Sequence, residues 1–422
     1  MNVSMRILAR PVFQHQPSNT YWIAFILMVS LLALVGDVST SRFDMRDFEV
    51  YHKTARRTLH GEELYSIPED GHYVFKYSPV AGILFIPLGV LPLPVAQYVY
   101  WALLTILFIV GIKLFAGLLE TDQVGHGVEC RTKHFVFFAL LAVVMHFHRE
   151  LHLGQVNMLL LVMYIFLTDA LVKNKVEIFG WLLAASIFIK PFGLIFLPYL
   201  VVKRKYMEVA HTVAILVFLS LLPFIFYPSV EAVVHLYSSW WDELVTELAV
   251  KQNLLADGNH TIFSVLARFT PIRFVLENDL VQKLYQLILL GWIGLSVWRY
   301  IKRNDGIGNP AEAVVKEMAL LMAFIPLLAF TSENAFVFAL PLVLCVMFHY
   351  GGLTVMQRVL LVCGMVCIGG NIYDVVGRGV NHFLLSLSIY TWGTLLVLLV
   401  LVLYERSNGY KRTKAGLSPA LS

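Results

Sequence analysis

The residue best placed to do chemistry in this chain is Asp47. It stands just past the first apolar run, residues 21–35, within Arg46-Asp47-Phe48-Glu49-Val50-Tyr51, and apolar sequence resumes near Val80. Residues 37–78 thus form a carboxylate-rich loop at one membrane face, among aromatic side chains. A carboxylate held there can take a proton from a hydroxyl while a lipid presents the other reactant. That arrangement suits transfer of a group from a lipid-borne substrate.

Other polar residues interrupt apolar sequence, where an ionisable group is expensive and points to function. Lys190-Pro191 breaks one apolar stretch. Proline removes a backbone hydrogen bond, and a lysine at the break can turn its ammonium into a polar cavity and neutralise a phosphate; the plainer alternative is a lysine snorkelling to the surface. His146-Phe147-His148-Arg149-Glu150-Leu151-His152 leads into Gly154-Gln155-Val156-Asn157. Its histidine spacing fits no metal-ligand pattern, so a structural or substrate-contacting polar turn is the better reading. Thr331-Ser332-Glu333-Asn334 lies between two apolar runs, and a helix-capping turn explains it equally well. Asn259-His260-Thr261 is formally a glycosylation sequon.

These residues need a scaffold, and composition supplies it. The chain of 422 residues is 58% hydrophobic and 14% charged, with a mean hydropathy of +0.72, which excludes an ordinary soluble domain. Apolar runs recur at 20–36, 79–93, 95–118, 134–147, 156–172, 177–200, 208–228, 281–300, 313–330, 334–349, 355–372 and 383–403. A hydrocarbon core of about 30 Å calls for helices here, since backbone groups in lipid must satisfy one another. The fold class expected is therefore all-α: a polytopic transmembrane bundle of about twelve helices, forming one domain over 1–422. Short amphipathic helices should lie in the outer loops. Phe48, Tyr51, Ala55 and Leu59 recur at helical spacing, with Glu49, Lys53, Arg56 and Arg57 on the opposite face. The first apolar segment lacks a small-residue cleavage site and reads as a retained helix. Four cysteines, Cys130 alone in a loop and three in apolar segments, give no disulfide framework.

Lysine and arginine set the orientation. Arg6 and Arg10, Lys203-Arg204-Lys205, Arg299 with Lys302 and Arg303, and the 404–422 tail should share the cytoplasmic side. The Asp47 loop and a second long segment, 229–280, then face outward. The net charge of +4 needs no acidic partner or nucleic acid, because positive-inside loops account for it. No phosphate loop or dinucleotide fingerprint occurs, which points away from a soluble nucleotide-sugar donor.

Asp47-Phe48-x-x-Tyr51, Leu59-x-Gly61-x-x-Leu64-Tyr65 and Tyr77-x-Pro79 together resemble the first outer loop of glycosyltransferase family 87, membrane enzymes of GT-C fold. The likeness continues through Gly154-Gln155-x-Asn157, Ile189-Lys190-Pro191, Asn259-x-Thr261-Ile262 with Arg268, and Thr331-Ser332 with Pro341. It departs at Glu333-Asn334-Ala335, where many relatives carry a Trp and paired histidines. The resemblance implies inverting transfer of a hexose, usually mannose, from a polyprenyl-phosphate donor. The acceptor would be a lipid or glycan on the outer face of the membrane, by location a bacterial inner membrane. Asp47 matches the family's general base. The expected donor- or substrate-binding residues are Lys190, Arg149, Arg268, Tyr51, Tyr77, Gln155, Asn157, Asn259 and Glu333. No cofactor or metal is expected; a divalent ion acting through Asp47 or Glu49 is the alternative. A transporter or lipid-linked glycan flippase would share the hydropathy, but it calls for repeated halves with matched broken helices.

Overall fold

The computed structural model describes residues 20–65, 70–120, 129–251, 253–256, 258–274, 276, 278–305 and 309–414, and every regular element among them is helical. Arg6 and Arg10 lie outside the described residues. Among the described residues, six helices are long and apolar enough to cross a membrane: Tyr21–Ser39, Leu93–Glu120, His134–Leu153, Tyr206–Ile225, Asp279–Arg303 and Ile389–Arg406. Shorter apolar helices pack between them, and the most enclosed of these, Glu333–Phe348, is buried almost throughout. The protein is a polytopic helical bundle.

The first half supplies the elements that matter for the site. In order they are α1 (Thr20–Ser39), α2 (Arg46–His60), α3 (Pro79–Leu84), α4 (Ile86–Gly89) and α5 (Leu93–Glu120). There follow α6 (Glu129–Leu153), α7 (Asn157–Val172), α8 (Val176–Ile189) and α9 (Phe196–Val202). Two polar ends can be traced. At one, Lys203 bridges Asp305 at 3.2 Å and Glu317 at 3.1 Å, Lys205 donates to Asn174 at 2.8 Å, and Lys316 pairs with Glu405 at 2.7 Å. The basic loops therefore gather at a single end, as the charge asymmetry requires. At the other end Gln155 donates to Asp47 and Lys190 donates to Asn157.

Two expected spans differ. Residues 79–93 are not a span but the short helices α3 and α4, which meet at Phe85. Pro87, Pro92 and Pro94 each lack the N–H that a continuous helix would use. Residues 177–200 are not one span but two limbs of a hairpin. α8 ends at Lys190, whose backbone is extended (φ −143°, ψ 135°), as a residue preceding proline prefers. A 3₁₀ segment, Pro191–Ile195, then leads through α9 back to the basic end. The limbs close because Gly193 has no side chain; a Cβ there would lie 2.8 Å from Leu183 Cδ1 and Ser186 Oγ. The two differences cancel in parity, so Lys203 stays where expected. Everything between residues 93 and 190 runs opposite to the order the hydropathy suggests, which brings Gln155 and Asn157 to the Asp47 end.

The polar run at 146–152 is not a broken turn either. α6 continues through it to Leu153, and the turn falls at Gly154, with φ +65°. Cys130 belongs to the same helix rather than to a loop.

Candidate functional site

α2 forms as its spacing predicts, with Phe48, Tyr51 and Ala55 buried. Gly61 closes it in the left-handed conformation, its N–H capping Arg57 and Thr58 carbonyls. Phe48 stacks on Tyr100 of α5 with ring centroids 4.5 Å apart. The close approach depends on Gly154, where a Cβ would meet Phe48 Cβ at 2.6 Å. A glycine in the α6–α7 turn thus allows Asp47 and Gln155 to touch. One face assignment fails: Arg57 is buried rather than solvated, because with Lys53 it binds the Asp70 carboxylate. Burial opposes ionisation of Asp70, but the hydrogen bonds from Arg57 and Lys53 outweigh it and hold the carboxyl below its usual pKa.

A continuous hydrogen-bonded chain crosses the site. Gln155 Nε2 donates to Asp47 Oδ2. Lys190 Nζ lies 3.4 Å from Gln155 Oε1 and 2.8 Å from Asn157 Oδ1. Asn157 Nδ2 in turn donates to Glu150 Oε1 at 2.8 Å, and Glu150 also accepts from the Met158 N–H at 2.8 Å and from Asn334 Nδ2. Glu150 is fully buried. Receiving three donors, it fixes the amide of Asn157 so that the carbonyl oxygen faces Lys190. The polarity of the chain therefore runs outward from one ammonium to two carboxylates.

Aromatic groups enclose this centre. The Tyr51 and Tyr77 hydroxyls are 3.0 Å apart, and Lys190 Nζ sits 5.5 Å from the Tyr77 ring centroid. Ser78 ties the neighbouring stretch of chain to the Lys190 turn, donating to the Phe188 carbonyl at 2.7 Å and capping α3 by accepting from the Ala81 N–H. Burial lifts the Asp47 carboxyl above its usual pKa, against the Gln155 hydrogen bond and the Lys190 and Lys76 charges. A carboxylate biased towards taking a proton and flanked by ammonium groups can act as a general base beside a leaving anion.

Asp47, Tyr51, Lys76, Tyr77, Gln155 and Lys190 line one end of a cavity of about 1290 Å³. From there it descends along apolar side chains, among them Leu290, Val297, Ile301 and Phe324. Its far limit includes Tyr199, which donates to Glu317 at the basic end. A polar head and a long apolar body are joined in one space.

A family model, Glycosyltransferase family 87, matches residues 75–331, well over half of the chain. The protein belongs to this family. No curated protein and no solved structure matches it. It is thus a membrane glycosyltransferase. Tyr77, Gln155, Asn157 and Lys190 fall inside the family match, while Asp47 and Tyr51 precede it and Glu333 follows it.

The remaining candidates of this family 87 chain lie elsewhere. Arg149 pairs with Glu333 at 2.8 Å, and neither lines the large cavity. Arg268 donates to the Ser386 carbonyl at 2.8 Å, to the Asn259 carbonyl at 3.0 Å and to Ser388 Oγ. It fastens the 259–268 segment to the start of the Ile389–Lys414 helix, and Asn259 caps within that segment by accepting from Thr261. Burial and then the Arg268 charge push the nearby His260 imidazole down to about 4, so it is neutral at pH 7. A further 3₁₀ segment, Glu333–Ala339, starts at the site end, where Asn334 reaches Glu150. Three contributors escaped the sequence reading. Glu150 and Asn334 lay inside strings whose neighbours drew attention, and Lys76 lay in the loop motif. The signal that could have found Glu150 was a carboxylate close to the end of the 134–147 apolar run and ahead of the 156–172 one.

Proposed function

We propose that this protein transfers a hexose, mannose being the first to test, from a polyprenyl-phosphate donor to a lipid or glycan acceptor. The transfer inverts the anomeric carbon, at the outer face of a bacterial inner membrane, within a fold of GT-C type. The observation that carries the reading is the single cavity joining the Asp47–Gln155–Lys190 head to an apolar body that reaches the opposite polar end. A soluble nucleotide sugar has no use for that body; a polyprenyl chain fills it.

In the proposed step the acceptor hydroxyl gives its proton to an Asp47 oxygen as its own oxygen bonds to the anomeric carbon. The bond from that carbon to the phosphate oxygen breaks, and polyprenyl phosphate leaves with the electron pair. Charge grows on the phosphate, and the Lys190 and Lys76 ammonium groups meet it. Gln155 touches both halves of the reaction, so it holds the base and the cation in register. Family membership favours this transferase over the transporter reading.

The test is purified protein in nanodiscs, offered a panel of polyprenyl-phosphate hexoses or nucleotide sugars, with membrane glycolipids as acceptors and products followed by mass spectrometry. Label should pass from the polyprenyl donors, with or without a chelator. Transfer from nucleotide sugars alone would overturn the proposal.

A further inference from the structure

A second cavity, of about 700 Å³, lies against a neighbouring face of α2. The helix separates the two spaces by periodicity. Asp47 and Tyr51 face the large cavity, whereas Arg46, Glu49, Lys53 and Arg57 face the smaller one, and Val50 lines both. At about 100° per residue, Arg46, Lys53 and Arg57 lie roughly 80–120° around the helix from Asp47. Tyr73 and Phe75 complete the shared wall. A ligand in the small cavity thus lies one side chain away from the base.

The lining indicates what that ligand is. Three cations, Arg46, Lys53 and Arg57, are balanced by three carboxylates, Asp44, Glu49 and Asp70. Lys53 and Arg57 are already committed to Asp70, and Arg46 lies 3.6 Å from Asp44. A polyanion would find no surplus positive charge here. A neutral polyol fits, because each hydroxyl both donates to a carboxylate and accepts from a cation. Phe43 and Tyr73 add aromatic surface for the C–H face of a sugar ring, and Tyr73 is 48% exposed. The space lies among loop and amphipathic-helix residues, so it suits a head group rather than an acyl chain.

We propose that the small cavity beside α2 is the acceptor subsite and takes a neutral carbohydrate head, whose hydroxyl reaches Asp47 across Val50 and Tyr73. This rests on the transferase reading above. Donor and acceptor approach neighbouring flanks of one helix and meet at its first turn.

Photocrosslinking in native membranes tests it with whatever acceptor the membrane supplies. p-Benzoylphenylalanine replaces Phe43 in the small cavity or, in a separate protein, Leu290 in the large one. Adducts are released by proteolysis and read by mass spectrometry. The Leu290 probe should capture polyprenyl phosphate, and the Phe43 probe should capture saccharide free of polyprenyl phosphate. Lys53→Met should reduce the Phe43 adduct roughly fivefold, the scale of one partly exposed charged contact. If the Phe43 probe folds poorly, the same probe at exposed Glu49 gives the reading. Polyprenyl phosphate at Leu290 with only phospholipid, polyprenyl phosphate or nothing at Phe43 and Glu49 overturns the subsite and leaves the transferase standing. Absence of polyprenyl phosphate at Leu290 overturns the proposed function and the subsite together.

Discussion

Replacing Glu150 by glutamine tests whether a buried carboxylate outside the large cavity sets the lysine that lines it. Glu150 Oε1 receives Asn157 and Asn334, and Oε2 receives the Met158 N–H. Glutamine has one oxygen for these donors. If it faces the two asparagines, its NH₂ opposes the Met158 N–H, leaving a buried donor unpaired at about 1–3 kcal/mol. If it turns the other way, both asparagine amides must flip, and Asn157 then presents an NH₂ to the Lys190 ammonium. Lys190 loses its 2.8 Å acceptor, a charged hydrogen bond worth about 1.5–3 kcal/mol, and affinity for polyprenyl phosphate should fall about tenfold to a hundredfold. The assay is binding of undecaprenyl phosphate to the protein in nanodiscs, with thermal unfolding measured alongside. The Lys190→Met background separates the two effects, since residues acting through one another do not add. There Glu150→Gln should still lower the unfolding temperature but leave the remaining affinity unchanged. An equal loss of affinity in both backgrounds would show that Glu150 supports the fold and does not set Lys190.

Asp47→Asn should lower turnover by about 10²–10⁴-fold while donor binding persists; retention of more than roughly a tenth of the activity refutes the base. Because burial raises the folded-state pKa of Asp47, its ionisation costs stability above that pKa, and stability recovers as pH falls through it towards the unfolded value near 3.8. Asp47→Asn should accordingly melt no lower than wild type at pH 7 and lose any advantage in acid, and wild-type turnover should fall as acid protonates the base. Lys190→Arg should keep part of the undecaprenyl phosphate affinity, since a point charge matters more than shape there; complete loss would argue for a geometric role. Gly154→Ala must accommodate a Cβ 2.6 Å from Phe48 at positive φ, so it should destabilise by about 1–3 kcal/mol and impair turnover, checked by thermal unfolding and activity. Cysteines placed in 37–78 or 229–280 should react with an impermeant thiol reagent from outside, and ones near Lys203 or Lys302 should not; labelling in the reverse sense would put the site in the cytoplasm.

Sequence alone determined the all-helical membrane bundle, because its long apolar runs lack the alternation of barrel strands and the backbone in lipid needs partners. It determined α2 as well, since Phe48, Tyr51 and Ala55 repeat at the helical period, and the clustering of basic loops at one end. The polar residues that the fold brings together in this family 87 chain were partly legible too, through Asp47, Gln155, Asn157 and Lys190. Tertiary structure decided which of them meet. An apolar run reads the same whether the chain runs upward or downward, so hydropathy cannot show that 79–93 is two short helices or that 177–200 folds back on itself. Each such difference reverses the side on which the following polar residues emerge. Pro191 is likewise ambiguous in sequence, since proline permits a kink or a turn, and only the space left at Gly193 lets the two limbs close. Burial of Arg57 and the fastening of Arg268 depend on acceptors distant in the chain, Asp70 and Ser388. The amide orientation at Asn157 depends on Glu150, seven residues earlier across the Gly154 turn, and on Asn334, 184 residues from Glu150. Such pairings are set by packing, because a donor's partner is whatever acceptor the fold brings within reach.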